Sequence, residues 1–124
     1  MKHRFPWLED ERGSSAVEFA IVGPVFLMLM VGTIYAGLLF FQAGSLQYAV
    51  EEGARCASVK TTVCTGGPAT VSYTNAAYHG AVITPVFVYS TPACGHAVTG
   101  SANFQLDFVL TTVTVPLSAT ACFP

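Results

Sequence analysis

Between Glu18 and Glu51 the chain carries no Asp, Glu, Lys or Arg, and no other feature restricts its fold as strongly. The segment Phe19 to Phe41 alone is 23 residues long and holds thirteen Leu, Ile, Val or Phe residues plus Met28 and Met30. About 20 apolar residues in a helix span the roughly 30 Å hydrocarbon core of a bilayer. Each large apolar side chain favours insertion by about 0.3–0.6 kcal/mol, which sums to about −6 kcal/mol before polar, Gly and Pro costs. The segment is therefore expected to enter a membrane. At its entrance stands Glu18, an ionisable group where one is expensive and hence often functional.

Orientation follows from the flanks. Lys2, Arg4 and Arg12 precede the run, while Arg55 and Lys60 lie further beyond it, so the N-terminus is expected in the cytoplasm and the C-terminal part outside. Cys56, Cys64, Cys94 and Cys122 all follow the run. An even count in a small outer domain reads as a disulfide framework in an oxidising compartment. Position favours Cys56–Cys64 with Cys94–Cys122, and the other two connectivities stay open. Net charge −2 with five Lys plus Arg leaves no basic stripe for nucleic acid.

Residues 1–12 (MKHRFPWLEDER) mix both signs of charge. The acids Glu9, Asp10 and Glu11, the overlong apolar run and the lack of an A-x-A site all depart from a conventional cleaved signal. Ser15-Ala16-Val17-Glu18 fits S-x-x-E, the capping box that opens a helix, with Ser15 accepting from the Glu18 N–H and Glu18 reaching back. From there a helix should cross the membrane, kinked at Pro24, with Gly32, Ala36, Gly37 and Gly44 allowing close helix approach. Leu46, Ala49, Val50, Gly53, Ala54 and Ala57 then fall on one helical face, so the helix continues, now amphipathic, to about Ser58.

Thr61–Gly67 reads as a loop, and Pro68–His79 as a short helix framed by Pro and Gly80. A strand over Thr70–Thr74 is nearly as well supported. Val82–Thr91 is β-like, with Pro85 confining it to an edge or bulge. Residues 92–102 read as a connecting loop. Asn103–Thr111 alternates Phe104, Leu106, Phe108 and Leu110 against polar residues, and Val113, Val115 and Leu117 continue the period of two. At least two antiparallel strands, with a third favoured, should lay one face on the helix stripe. The expected fold is α+β: a long N-terminal membrane-spanning helix that continues as an amphipathic helix packed on a small antiparallel sheet. No catalytic set is expected. His3, His79 and His96 are scattered without metal-ligand spacing, and Asp107 is the only carboxylate after Glu52, so paired acid–base carboxylates are lacking. No phosphate loop or cofactor motif is present.

The charged leader ending in Gly13, Glu18 five residues later, Phe19 and the long apolar helix resemble a type IV pilin-like precursor. The stretch RGSSAVEFAIVGPVFLMLM followed by AVEEGARCA is similar to TadE-like minor pilins (pseudopilins) of the tight adherence (Tad) pilus system, with Val17–Ala20, Pro24 and Glu52–Arg55 matching the recurrent motifs. The resemblance implies a pilin-like fold and no enzymatic activity. It implies cutting by a prepilin peptidase after Gly13, with Ser14 as the new terminus and Glu18 as the fifth mature residue, flanked by Phe19. It also implies the major pilin, other minor pilins and the pilus assembly machinery as partners, inner-membrane residence with a periplasmic domain, and transfer to a surface fibre. The corresponding division is leader 1–13, helix 14–58 with the span at about 19–41, and outer domain 59–124. On this reading Glu18 caps its helix first and later pairs with the Ser14 amine of a neighbouring subunit. The alternative is an uncleaved single-span anchor presenting a small disulfide-bonded binding domain; a further reading has the outer β domain binding the partner.

Overall fold

A computed structural model describes residues 11–108 and 110–124. Most of the charged leader, with Lys2, His3 and Arg4, lies outside them. The elements are α1 (Glu11–Val59), α2 (Gly67–Ala77), β1 (Val86–Ser90), β2 (His96–Phe108) and β3 (Thr111–Phe123). The chain is α+β, and it divides into two compact units, up to Gly37 and from Leu38 to Pro124, with α1 running through both.

Among the described residues the first unit is α1 alone. Its large apolar side chains are exposed, Phe19 at 79% and Met28 at 74% among them. A helix apolar on all sides is stable only where lipid or other helices cover it. The helix continues through Pro24. It also begins earlier than the S-x-x-E signal implies. Ser15 sits a turn inside α1, where its own N–H lies within the helical ladder, so it is not the N-cap of α1.

In the second unit the expected stripe is the core. Leu46, Ala49, Val50, Ala54 and Ala57 are at most 4% exposed, and Gly53 is buried with them. Phe87, Val98, Ala119 and Ala121 of the sheet close over the first four of these, with Tyr89 and Leu117 at the margin. The sheet is antiparallel in the order β1-β2-β3. Phe87, Gly100 and Ala119 form one cross-strand row. A Cβ on Gly100 would lie 2.7 Å from a Phe87 ring atom and 2.9 Å from Leu46 Cδ1, so the row closes only because Gly100 has no side chain.

Gly100 explains why residues 92–102 misread as loop. His96–Ala102 is strand, and Gly100 within it lacks a side chain because Leu46 and Phe87 fill that space, not because the chain turns. The β-like run from Val82 supplies a strand only at Val86–Ser90, after Pro85. The alternation of Asn103–Thr111 is interrupted by a turn after Phe108, which leaves Leu110 at 95% exposure instead of on the buried face. α2 is helical, so the strand alternative at Thr70–Thr74 does not hold. Pro68 stands in its first turn, where a missing N–H costs nothing.

Two disulfides close this unit. Cys56–Cys64 ties the last turn of α1 to the following loop (Cα–Cα 5.8 Å), and Cys94–Cys122 ties the β1–β2 turn to the end of β3 (6.3 Å). This is the pairing that chain position favours.

Candidate processing and assembly site

Gly13, Ser14, Glu18 and Phe19 all lie on α1 and are exposed. Four residues separate Ser14 from Glu18, which puts them on one face of the helix, one turn apart. Glu18 has no hydrogen-bond or ion-pair partner among the described residues. An ionisable group beside an apolar run is expensive where lipid surrounds it. Phe19 leans one turn along, and a Cβ on Gly23 would meet its ring at 3.9 Å, in ordinary contact. Around Gly13 and Gly44 a Cβ would meet nothing within 4 Å.

The far end of the helix carries the second motif, Glu52-Gly53-Ala54-Arg55. Its residues do different things. Ala54 is fully buried against the sheet, and Arg55 is exposed. Gly53 is the point where α2 crosses α1: a Cβ there would overlap Thr74 Oγ1 and lie 3.1 Å from Thr74 Cβ. Thr70 and Thr74 are fully buried and turn their hydroxyls inward along α2, Thr70 donating to Gly66 O at 2.9 Å and Thr74 to Thr70 O at 2.8 Å. Hydroxyls satisfied by their own helix can be buried without cost to the partner surface.

A latch holds the end of α2 to the beginning of the core. Tyr78 Oη donates to the buried Gln42 Oε1 at 2.6 Å, and the His79 N–H donates to Ser45 Oγ at 2.9 Å. Burial raises the Tyr78 pKa, so the phenol stays a donor well above neutral pH. Gly80 is required beside them, because a side chain would overlap the Tyr78 hydroxyl and the Gln42 amide. The sequence gives no local sign of this latch, since its members lie more than thirty residues apart. His79 and His96 are placed separately: His96 Nδ1 bonds Tyr89 Oη at 2.5 Å. Among the described residues no three His, Cys, Asp or Glu side chains converge.

Residues 13–55 match the model of the family described as TadE-like protein. The match begins at the glycine of the expected cut and ends at Arg55 of the second motif. No match was found among curated proteins or among solved structures. A helix of this length and composition could cross a membrane once, as a single-pass anchor would. The similarity to the TadE-like family thus spans the helix from Gly13 to Arg55, about a third of the chain.

Proposed function

We propose that the chain is a non-enzymatic minor pilin, cut after Gly13 by a prepilin peptidase and built into, or used to prime, a Tad-type adhesive pilus. The observation that carries this reading is the family match, which starts at the cut position itself and runs the length of the assembly helix. Residues 1–13 form the leader, 14–58 the helix with its span at about 19–41, and 59–124 the periplasmic domain, with the N-terminus in the cytoplasm. The disulfides support an oxidising compartment for that domain.

The helix also suggests an order of events. In the uncut chain the Gly13–Ser14 bond lies within α1, so a protease must first unwind that turn. Gly13 eases this, since Gly weakens a helix by about 1 kcal/mol relative to Ala. Removing residues 1–13 makes Ser14 the terminus and leaves Ser15 at the start of the helix. Only then can Ser15 cap the Glu18 N–H. Capping therefore follows cutting, the reverse of the order that the sequence suggests. The new Ser14 amine is a cation at the positive end of the helix dipole, where it is unfavourable. Glu18 of an adjacent subunit offers it a partner in a low-dielectric setting, where the attraction far exceeds its value in water.

Breaking a buried pair by removing one partner costs about 3–5 kcal/mol. Glu18→Gln and Glu18→Leu should each be cut normally, yet co-purify with assembled fibre at least about tenfold less than the wild type. Quantitative blotting of sheared fibres reads this out. Wild-type incorporation of both variants would refute the pairing role.

A further inference from the structure

The two edges of the sheet are not alike. β1, at one edge, has α2 against it: a Cβ on Gly67 would lie 3.4 Å from the Tyr89 ring, and Tyr78 meets Phe87 edge to face with ring centroids 6.3 Å apart. β3 is the other edge. Among the described residues no backbone group of residues 117–123 bonds outside the ladder with β2. An unpaired edge is a template for another chain, and proteins guard it with short strands, charged side chains, proline or bulges. β3 has 13 residues, where about five or six are usual, and no charged residue follows Asp107. Its one guard is Pro116, which leaves residues 117–123 open.

Two observations say which amides face outward. Proline in a sheet sits on an edge with its nitrogen turned to solvent. Ser118, Thr120 and Cys122 follow Pro116 at alternate positions, so they turn their N–H and C=O the same way. Thr99 and Thr120 agree. They stand directly opposite each other with their Oγ1 atoms 3.2 Å apart, as suits the closer type of pair whose backbone groups face away from each other. Ser118 and Thr120 are exposed, whereas Ala119 and Ala121 belong to the core. The open edge is thus a row of main-chain donors and acceptors between small uncharged side chains. Another extended backbone satisfies such a row, and a charged side chain on it would find no counter-charge on β3.

A second copy does not fit this edge. Gly100, opposite Ala119, lies against Leu46, and Ser58 Oγ donates to Pro124 O at 2.6 Å. From Ala119 to Pro124 a strand advances about 17 Å, and from Leu46 to Ser58 a helix advances about 18 Å. β3 therefore runs the same way as α1 over this stretch. A like-to-like contact between two β3 edges obeys a twofold axis, and the antiparallel ladder it makes would turn these two stretches of α1 in opposite directions. Copies anchored in one membrane, or stacked in one fibre, point one way. We infer that residues 117–123 of β3 take up an extended, uncharged segment of a different pilin subunit, which adds a fourth strand to the sheet. This rests on the reading of the chain as a pilin.

The test compares the full chain alone in detergent with the chain in sheared fibres. Hydrogen exchange read by mass spectrometry should find the Ser118, Thr120 and Cys122 amides fast in the free chain and at least about tenfold slower in the fibre. Thr120→Pro removes the central donor, and Thr120→Val keeps it. With both disulfides formed, Thr120→Pro should enter fibres about tenfold less than the wild type, and Thr120→Val equally well. A benzophenone amino acid at position 120 should cross-link to an uncharged segment of another subunit. Equal exchange in the two states overturns the inference and leaves the pilin reading standing. A cross-link to a second copy, or to no subunit, does the same. If Thr120→Val is lost as fully as Thr120→Pro, a side chain and not the strand edge is what docks, and the inference fails. Absence of the wild-type chain from fibres refutes the pilin reading and the inference together.

Discussion

Gly53→Val should destabilise the second unit, Leu38 to Pro124, by about 3 kcal/mol, at the upper end of the cost of forcing extra atoms into a packed core. The reason is local. A Cβ at Gly53 would overlap Thr74 Oγ1 and lie 3.1 Å from Thr74 Cβ, and both belong to a fully buried residue. Thr74 cannot simply rotate away, because its hydroxyl is bonded to Thr70 O. Gly44→Ala is the matched control. It lies on the same helix with nothing within 4 Å of the added methyl, and it should gain about 0.5–1 kcal/mol from helix propensity alone. Gly53→Ala should therefore lose stability where an unhindered Gly→Ala gains it, and Thr74→Ala should recover most of that loss. Thermal unfolding in detergent, run as a double-mutant cycle, checks this. Equal gains at Gly44 and Gly53 would contradict the close crossing of α1 and α2.

Replacing Cys94 and Cys122 together by Ala should cost about 3.6 kcal/mol, the loop-closure entropy of an unfolded chain cross-linked across a separation of 28 residues. Little of this cost is lost packing, since Cys94 is exposed and Cys122 only half-buried. The bridge fastens the end of β3, where Ser58 holds Pro124 and Gly95 turns at φ +122° against the Phe123 carbonyl. Cys56–Cys64 differs in kind. Its short loop is worth about 2.5 kcal/mol by the same reasoning, but both sulfurs are buried, at 1% and 5% exposure. A mild reductant should accordingly open Cys94–Cys122 first. Guanidinium unfolding of the Ala pair gives the energy, and alkylation with mass spectrometry gives the order of reduction. A loss below about 1 kcal/mol would show that the native bridge is strained or the unfolded chain structured.

What could be read from the sequence follows from the kind of signal involved. The stripe Leu46 to Ala57 was legible because one helical face repeats on a fixed period and burial follows it residue by residue. Its continuity with the apolar run needed only the absence of any proline between Pro24 and Val59. The strand at His96–Ala102 was not legible. Small residues read as turn signals unless a helix is known to lie on them, and Leu46 is more than fifty residues away in the chain. Leu110 failed for the opposite reason, since its alternation is local and a turn after Phe108 breaks it. The capping box at Ser15 was ambiguous by nature: the motif marks a helix start, and α1 starts before it. At the candidate site Gly13 and Glu18 were visible as a spacing. The role of Gly53 as a helix crossing, and the Tyr78–Gln42 latch, required the fold.

The most direct measurement is the mature N-terminus. Co-expression of the full chain with a prepilin peptidase, followed by N-terminal sequencing and intact mass, should give a polypeptide that begins at Ser14 and contains both disulfides. A Gly13→Leu variant should remain uncut. A wild-type chain that keeps residues 1–13 in the presence of the active peptidase would contradict the account and leave an uncleaved single-span anchor.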